Sequence, residues 1–133
     1  MPAFSRTIPL LVYDDIPAAH DFLVKAFGFE PGFVDRGPDG EARHGEVHVG
    51  DTTIWMHRVT SEHGLGSPLE VRATSGIVIY VDDVDAHYER ARAARAQIDG
   101  PPADRPYGQR EYGARDVEGH RWWFATPIPI TAK

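Results

Sequence analysis

Residues 116–124, DVEGHRWWF, place two carboxylates and an imidazole directly before two tryptophans. Carboxylates and imidazoles at this alternating spacing can bind a metal ion or transfer a proton. A glycine among them is equally typical of a turn that leads into a strand. The stretch therefore indicates either a reactive site or a structural turn, and the rest of the chain has to decide between the two.

A second group of ligating residue types lies in ARHGEVHV, residues 42–49. His44, Glu46 and His48 alternate with other residues, so on a strand they share one face and could form a small metal or proton-transfer cluster. Strand residues two apart are separated by about 6.5–7 Å, and one strand alone rarely completes a coordination sphere. We favour a strand with a polar face at the rim of the fold, and keep Glu46 as a candidate acid or base.

Composition excludes several classes of function. The chain of 133 residues has no cysteine, which removes disulfides, thiolate metal sites and thiol nucleophiles. Its net charge of −6 argues against nucleic acid as a partner and favours a neutral or cationic small ligand. No apolar run is long enough to span a bilayer, and the N-terminal residues do not resemble a signal peptide. We expect one cytoplasmic domain over residues 1–133 that has no membrane partner.

The chain repeats itself at an offset of 68 positions. At this offset residues 10–19 lie over 78–87, and residues 44–58 lie over 112–126 without a gap. Identical residues recur between the halves, including the Asp-Asp pair that follows the first apolar run and the pair Trp55 and Trp123. Because the strand, helix and turn signals also match in order, the pattern indicates a duplication.

Each half is predicted to be a βαβββ module. An apolar run, residues 8–13 or 77–81, is typical of a buried strand. Asp15 is predicted to cap the first helix and Gly28 to end it, and the second helix is expected over residues 85–97. Three extended pieces follow each helix. The modules are predicted to span residues 5–59 and 76–128, joined by a connector at 60–75.

A tandem βαβββ pair that ends in RPYGQREYGARDVEGHRWWFAT resembles the vicinal oxygen chelate superfamily, which includes glyoxalases, bleomycin-resistance proteins and extradiol dioxygenases. The ending is most similar to the metal-poor, glyoxalase-like branch, although Val117 stands where proline is usual. The resemblance implies an α+β fold in which the two modules form an eight-stranded, half-open barrel around a ligand cavity. It also implies a homodimer.

In the metal-using members of this superfamily, each module supplies one ligand from its first strand and one from its last. Carried over to this sequence, these positions fall on Ile8, Trp55, Gly76 and Trp123. None of these side chains can coordinate a divalent cation. The resemblance therefore predicts a protein with no metal and no cofactor.

Strand alternation predicts which side chains face the cavity. If Trp123 points inward, Arg121 does too, and the repeat assigns the same direction to Trp55 and His57. Two tryptophans at matching positions could sandwich a flat aromatic ligand or face a cation, or they could simply fill the core. The residues predicted to bind the ligand are Ile8, Leu10, Trp55, His57, Tyr80, Tyr112, Arg121 and Trp123.

Two hypotheses of different classes remain open. The first is a small-molecule-binding protein that sequesters a planar aromatic or cationic compound, as drug-resistance members of the superfamily do. The alternative is a lyase, isomerase or other enzyme that acts on a small carbonyl or aromatic substrate. It would use His57, Glu46 or Arg121, or a non-standard metal site at His44 and His48.

The remaining candidates receive structural interpretations. In the opening stretch, Glu118 and Gly119 are predicted to form a turn that Asp116 caps, with His120 at the head of the last strand. Of the other histidines, two are expected on helices and His63 lies in the connector, where the sequence gives it no role.

Overall fold

A computed structural model describes residues 3–130 and divides the chain into two compact units, Met1–Ser67 and Pro68–Lys133. The boundary falls inside the predicted connector. The first unit contains β1 (Leu10–Val12), α1 (Ile16–Phe27), β2 (Glu30–Arg36), β3 (Ala42–Val49), β4 (Thr52–His57) and a 3₁₀ turn (Ser61–His63). The second contains β5 (Gly76–Tyr80), α2 (Val84–Ala93), β6 (Gln97–Ile98), β7 (Ala103–Arg105), β8 (Gln109–Arg115) and β9 (Arg121–Pro127).

The sheet of the first unit has the strand order β1-β4-β3-β2, and only the β1–β4 pair is parallel. The helix α1 covers one face of this sheet. The Asp15 carboxylate accepts a hydrogen bond from the Ala18 amide at 3.0 Å, and Gly28 ends the helix with a left-handed φ of 79°. Both capping predictions are confirmed.

The second unit repeats this topology as β5-β9-β8, with the fourth strand broken into β6 and β7, which both pair with β8. The prediction of four strands in each module is therefore corrected to five short strands here. The break contains Gly100, Pro101 and Pro102. Proline has no amide N–H to donate to a neighbouring strand, so pairing cannot continue through this segment.

The 68-residue repeat is confirmed where the first and last strands of each unit pair. Leu10 lies opposite Trp55, and Val78 lies opposite Trp123. Both members of the second pair stand 68 positions after those of the first. The two tryptophans therefore occupy equivalent places in their own sheets.

The 68-residue offset does not hold, however, for β3 and β8, the strands that precede the last strand of each unit. Trp55 pairs with Glu46, whereas Trp123 pairs with Gly113, which is only 67 positions after Glu46. The connection between β8 and β9 thus has one residue more than the turn between β3 and β4. Because side chains alternate along a strand, this extra residue reverses the face that each β8 side chain presents relative to the gapless alignment.

The helix-covered face of each sheet forms the core. In the first unit it buries Ile54 and Met56 of β4 against Leu23 and Phe27 of α1, all at most 2% exposed. Burying side chains of this size stabilises a fold by about 1.5–3 kcal/mol each. In the second unit Trp122 and Phe124 are fully buried, and Phe124 stacks on His87 of α2. Neither helix within residues 3–130 has the length and apolar character that crossing a membrane requires.

Candidate functional site

The helix-free face of each sheet is the face that the unit's own helix leaves uncovered, and here the two units differ. On the first sheet the register pairs His44 with His57, Glu46 with Trp55 and His48 with Thr53. Paired residues point the same way, and the intervening positions hold the buried core. Trp55 and His57 therefore share a face, as strand alternation predicted, and the register adds His44, Glu46 and His48 to that face.

Aromatic and imidazole rings form a continuous group on this face. The ring of His44 lies 5.7 Å from Phe33, 5.3 Å from Trp55 and 6.0 Å from His57, measured between centroids. His57 in turn lies 4.3 Å from His63. Trp55 remains 39% exposed and Phe33 54% exposed, so their ring surfaces are accessible. Among the ring-bearing residues, Trp55 offers the largest flat surface.

One end of this ring group opens into a cavity of about 470 Å³. Three imidazoles, two arginines and two carboxylates surround it, so its lining is polar. The lining residues are Asp35, Arg43, His44, His57, Arg58, Thr60, Glu62 and His63.

The surroundings of His57 and His44 determine where each ring carries its hydrogen or how readily it takes up a proton. The Nδ1 of His57 lies 2.8 Å from the carbonyl oxygen of Arg58, so Nδ1 carries the hydrogen that it donates. Its Nε2 is then the atom that takes up a proton. Burial lowers the pKa of His44, and the nearby imidazole of His57 lowers it further. His44 is therefore neutral at pH 7 and presents an uncharged ring to Trp55.

The candidate cluster of His44, Glu46 and His48 on β3 does not converge on one point, because its members contact different neighbours. His48 Nδ1 lies 3.1 Å from the Thr53 hydroxyl, and its Nε2 lies 3.6 Å from a Glu46 carboxylate oxygen. Glu46 thus lies beside His48 on its own strand and opposite Trp55 in the register. Within residues 3–130, no three histidine, aspartate or glutamate side chains converge in an arrangement suited to a metal ion.

The superfamily's metal positions can be tested by their donor chemistry. The resemblance assigns them to Ile8, Trp55, Gly76 and Trp123, of which Trp55 and Trp123 lie on the helix-free faces. None of the four has a side-chain atom that coordinates a divalent cation. The residues at these positions do not fit the superfamily's metal centre.

On the helix-free face of the second sheet, side chains of the same unit contact the ring of Trp123. The Arg121 guanidinium lies over the Trp123 ring, 4.7 Å from its centroid. Both Arg121 terminal nitrogens donate to the Asp99 carboxylate, at 3.1 and 2.5 Å. This pair lowers the pKa of Asp99 and raises that of Arg121. Trp123 thus already stacks with a cation of its own chain.

The ring of Trp123 also lies across two glycines. A Cβ atom added at Gly76 would collide with the benzene edge of the indole, and one added at Gly113 would lie 2.9 Å from its Nε1. The ring can lie flat on the sheet only because both neighbours lack a side chain. The predicted group of Trp123 and Arg121 is therefore present, but its members bind one another.

The other predicted ligand-binding residues have different positions. Tyr80 is 61% exposed on the helix-free face and donates to the Gln109 side chain at 2.7 Å. Leu10 lies beside Trp55, whereas Ile8 precedes β1 and is half-buried. Tyr112 lies on the helix-covered face, where its hydroxyl is 2.6 Å from His87 Nδ1. The expectation that Tyr112 faces the cavity is corrected, because the longer β8–β9 connection shifts the alternation.

The stretch DVEGHRWWF is a turn held by a buried carboxylate. Asp116 is 2% exposed and accepts hydrogen bonds from the amides of Glu118 and His120 and from the indole N–H of Trp122, each at 3.1 Å. Its own amide donates to the carbonyl oxygen of His120 at 3.1 Å. The prediction that Asp116 caps this turn is confirmed.

Sequence analysis missed three residues of these faces. His63 reaches the ring of His57 through the 3₁₀ turn, and a connector gives no periodic signal of where it folds back. Phe33 joins the ring group from β2, where alternation could have identified it. Asp99 lies in the segment after β6 and pairs with Arg121. The two residues are far apart in the sequence, so no sequence pattern indicates this contact.

Comparisons with known proteins agree with this architecture. The family model described as Glyoxalase/Bleomycin resistance protein/Dioxygenase superfamily matches residues 7–124. The uncharacterized protein Mb0911c of Mycobacterium bovis is 33% identical over 132 residues, which cover 96% of this chain and 84% of that protein.

Two solved structures are similar over nearly the full length. TioX from Micromonospora sp. ML1 is 33% identical with a TM-score of 0.76, covering 94% of this chain and 100% of TioX. TnmS3, an antibiotic binding protein from Streptomyces sp. CB03234, is 24% identical with a TM-score of 0.75, covering 96% of this chain and 99% of TnmS3. The two sheets and two helices agree with the vicinal oxygen chelate fold, and the chain belongs to the glyoxalase/bleomycin resistance protein/dioxygenase superfamily.

Proposed function

We propose that this protein is a metal-independent, small-molecule-binding protein of the bleomycin-resistance type. Its ligand is a planar aromatic compound, neutral or cationic, that stacks on Trp55 at the helix-free face of the first unit. The ligand is sequestered and leaves chemically unchanged.

The observation that carries this proposal is the exposure of Trp55. A tryptophan in the middle of a sheet is normally covered, yet this one is 39% exposed and has other rings on the same face. Covering a large aromatic side chain is among the most favourable contacts in recognition, and stacking adds about 0.5–1.5 kcal/mol beyond the buried area. A flat ligand would gain both contributions there.

The charges around Trp55 favour a ligand that is neutral or positive. Glu46 lies beside Trp55 in the register, and the chain carries a net charge of −6. A carboxylate next to an accessible indole face is a suitable environment for an aromatic cation. TnmS3, whose fold is similar, is an antibiotic binding protein and provides a precedent for sequestration by this fold.

Calorimetric titration tests the proposal with three probes: 9-aminoacridine as a planar cation, acridine as its neutral relative, and cyclohexylamine as a cation without an aromatic ring. We expect the two planar compounds to bind and cyclohexylamine not to bind. Trp55→Ala should weaken binding at least about tenfold, because it removes the stacking surface. The matched control is Phe4→Ala, which removes a 98% exposed ring elsewhere in the same unit.

The same titration includes a protein sample treated with a chelator. Unchanged affinity after this treatment is expected for a metal-independent site. Loss of binding after chelation, or equal affinity in Trp55→Ala and the native protein, would contradict the proposal.

A second candidate function is acid–base catalysis on a small carbonyl or aromatic substrate. The observation that favours it is the cavity lined by His44, His57 and His63, in which the hydrogen bond to Arg58 fixes His57 with Nε2 as its proton acceptor. Incubation with small carbonyl compounds in deuterated water, followed by NMR, distinguishes the two functions. Catalysis predicts deuterium uptake that His57→Ala abolishes, while sequestration predicts no uptake by either protein.

The proposal includes a homodimer, as the superfamily resemblance implies, and a cytoplasmic location. Light scattering of the purified protein should give about twice the chain mass of 14.8 kDa. A mass equal to that of one chain at micromolar concentration would remove the dimer from the proposal.

A further inference from the structure

We infer that the second unit contains a binding site for a small organic anion that has an apolar body, a site lined only by residues of that unit. It lies in a cavity of about 830 Å³ next to β8 and β9. The lining residues are Pro68, Leu69, Glu70, Val71, Arg72, Ala73, Arg115, Gly119 and Arg121.

The charge of this lining is opposite to that of the whole chain. Arg72, Arg115 and Arg121 all line the cavity, in a protein whose net charge is −6. In the described part of the chain, Glu70 is the single carboxylate among the lining residues. Guanidinium groups recognise carboxylates, phosphates and sulfonates through paired hydrogen bonds, so three of them around one cavity favour an anion.

The protein's own carboxylates neutralise these arginines only in part. Asp99 binds Arg121 through both oxygens, and the same carboxylate is the partner of Arg115 at 3.6 Å. One carboxylate thus serves two guanidinium groups. Arg72 has no ion-pair or hydrogen-bond partner within residues 3–130. When Asp99 is counted with the lining, three positive charges face two negative ones.

The remaining lining is apolar and exposed. Leu69 and Val71 are each 57% exposed, and they alternate along the chain with Glu70 and Arg72. Exposed aliphatic side chains beside guanidinium groups, one of them the unpaired Arg72, match a ligand that combines an apolar body with an anionic group. An inorganic anion would leave these aliphatic side chains in water.

The β8–β9 connection supports the wall of this cavity. A Cβ at Gly119 would lie 3.4 Å from the Pro68 side chain, so the start of the lining segment packs against the turn. Asp116 holds that turn through three hydrogen bonds. The cavity therefore has a fixed base on which the ligand can be ordered.

Calorimetric titration with 2-naphthoate tests the site, with 2-naphthamide as its neutral analogue. We expect 2-naphthoate to bind with an affinity that falls as salt is raised, since exposed charges are screened. In Trp55→Ala, which lacks the stacking surface proposed for neutral planar compounds, 2-naphthamide should bind at least about tenfold more weakly than 2-naphthoate. The double variant Arg72→Gln/Arg115→Gln should lose at least about tenfold in 2-naphthoate affinity. It should fold normally, because exposed ion pairs contribute little to stability.

Arg58→Gln is the matched control, since Arg58 lines the cavity of the first unit. This variant should bind 2-naphthoate like the native protein. The inference is overturned by absence of 2-naphthoate binding at millimolar concentration, by equal binding of the amide and the carboxylate to Trp55→Ala, or by unchanged affinity in the double variant. Trp55→Ala should leave 2-naphthoate binding intact, so the result is independent of the function proposed above.

Discussion

Trp55 and Trp123 occupy equivalent positions in two copies of one fold, yet their surroundings differ. Trp55 lies among imidazoles and a carboxylate and leaves much of its ring exposed. Trp123 lies across two glycines beneath Arg121, which Asp99 holds in place. One copy has an accessible aromatic surface, and in the other a cation of the same chain stacks on the indole. The difference shows that a repeated position fixes the direction of a side chain but not its availability to a ligand.

The largest difference in stability is expected between the two hairpin turns. Asp116→Ala should destabilise the protein by about 3 kcal/mol or more, because it leaves three donors without their acceptor, including the buried indole N–H of Trp122. Urea unfolding measures this change. Asp51→Ala, in the exposed turn of the first unit, is the matched control and should lie within about 0.5 kcal/mol of the native protein. Equal effects of the two substitutions would contradict the distinction.

The next largest effect on stability is expected at the glycines that the Trp123 ring lies across. Gly76→Ala places a Cβ where the indole lies, so we expect a loss of about 1–2 kcal/mol and an altered near-ultraviolet circular dichroism spectrum. Gly100→Ala is the control, since no atom lies within 4 Å of its added Cβ. A neutral Gly76→Ala would show that the Trp123 ring is free to move, and the comparison with Trp55 would lose its basis.

The smallest effect is expected where the two helices end. Gly28 follows α1 in the left-handed region, while Arg95, with a φ of 64°, takes that conformation after α2. A side chain there costs roughly 1 kcal/mol relative to glycine. Arg95→Gly should therefore raise the free energy of unfolding by about 0.5–1 kcal/mol. Thermal unfolding measures the gain, and a fall in the midpoint would indicate that the Arg95 side chain makes a compensating contact.

Much of the fold could be predicted from the sequence because the repeat and the caps depend on local chemistry. Asp15, Gly28 and the pairing of first with last strands follow from short-range signals that recur at a fixed spacing. The orientation of Tyr112 could not be predicted in this way. A single extra residue in a turn leaves the helix and strand signals unchanged but reverses alternation in the strand before it.

The site was predictable only in part, for a related reason. Alternation placed Trp55 with His57 on one strand and Glu46 with His44 and His48 on another, since all five belong to regular strands, while the pairing of the two strands is known only from the structure. The contacts of His63 with His57 and of Asp99 with Arg121 are made by irregular segments. Their positions depend on tertiary packing, and no period in the sequence reports it. Both helix-free faces are therefore more polar than the strand residues alone indicate, because His63 and Asp99 of the connecting segments contact them.

The most direct test of the account is fluorescence quenching by 9-aminoacridine in Trp55→Phe and Trp123→Phe. Trp122 is fully buried and is bound to Asp116, so it should respond little to a ligand at the helix-free face. We expect Trp123→Phe to retain saturable quenching with the native affinity and Trp55→Phe to lose it. Loss of quenching in Trp123→Phe, with quenching retained in Trp55→Phe, would contradict the assignment of the first unit as the ligand-binding unit.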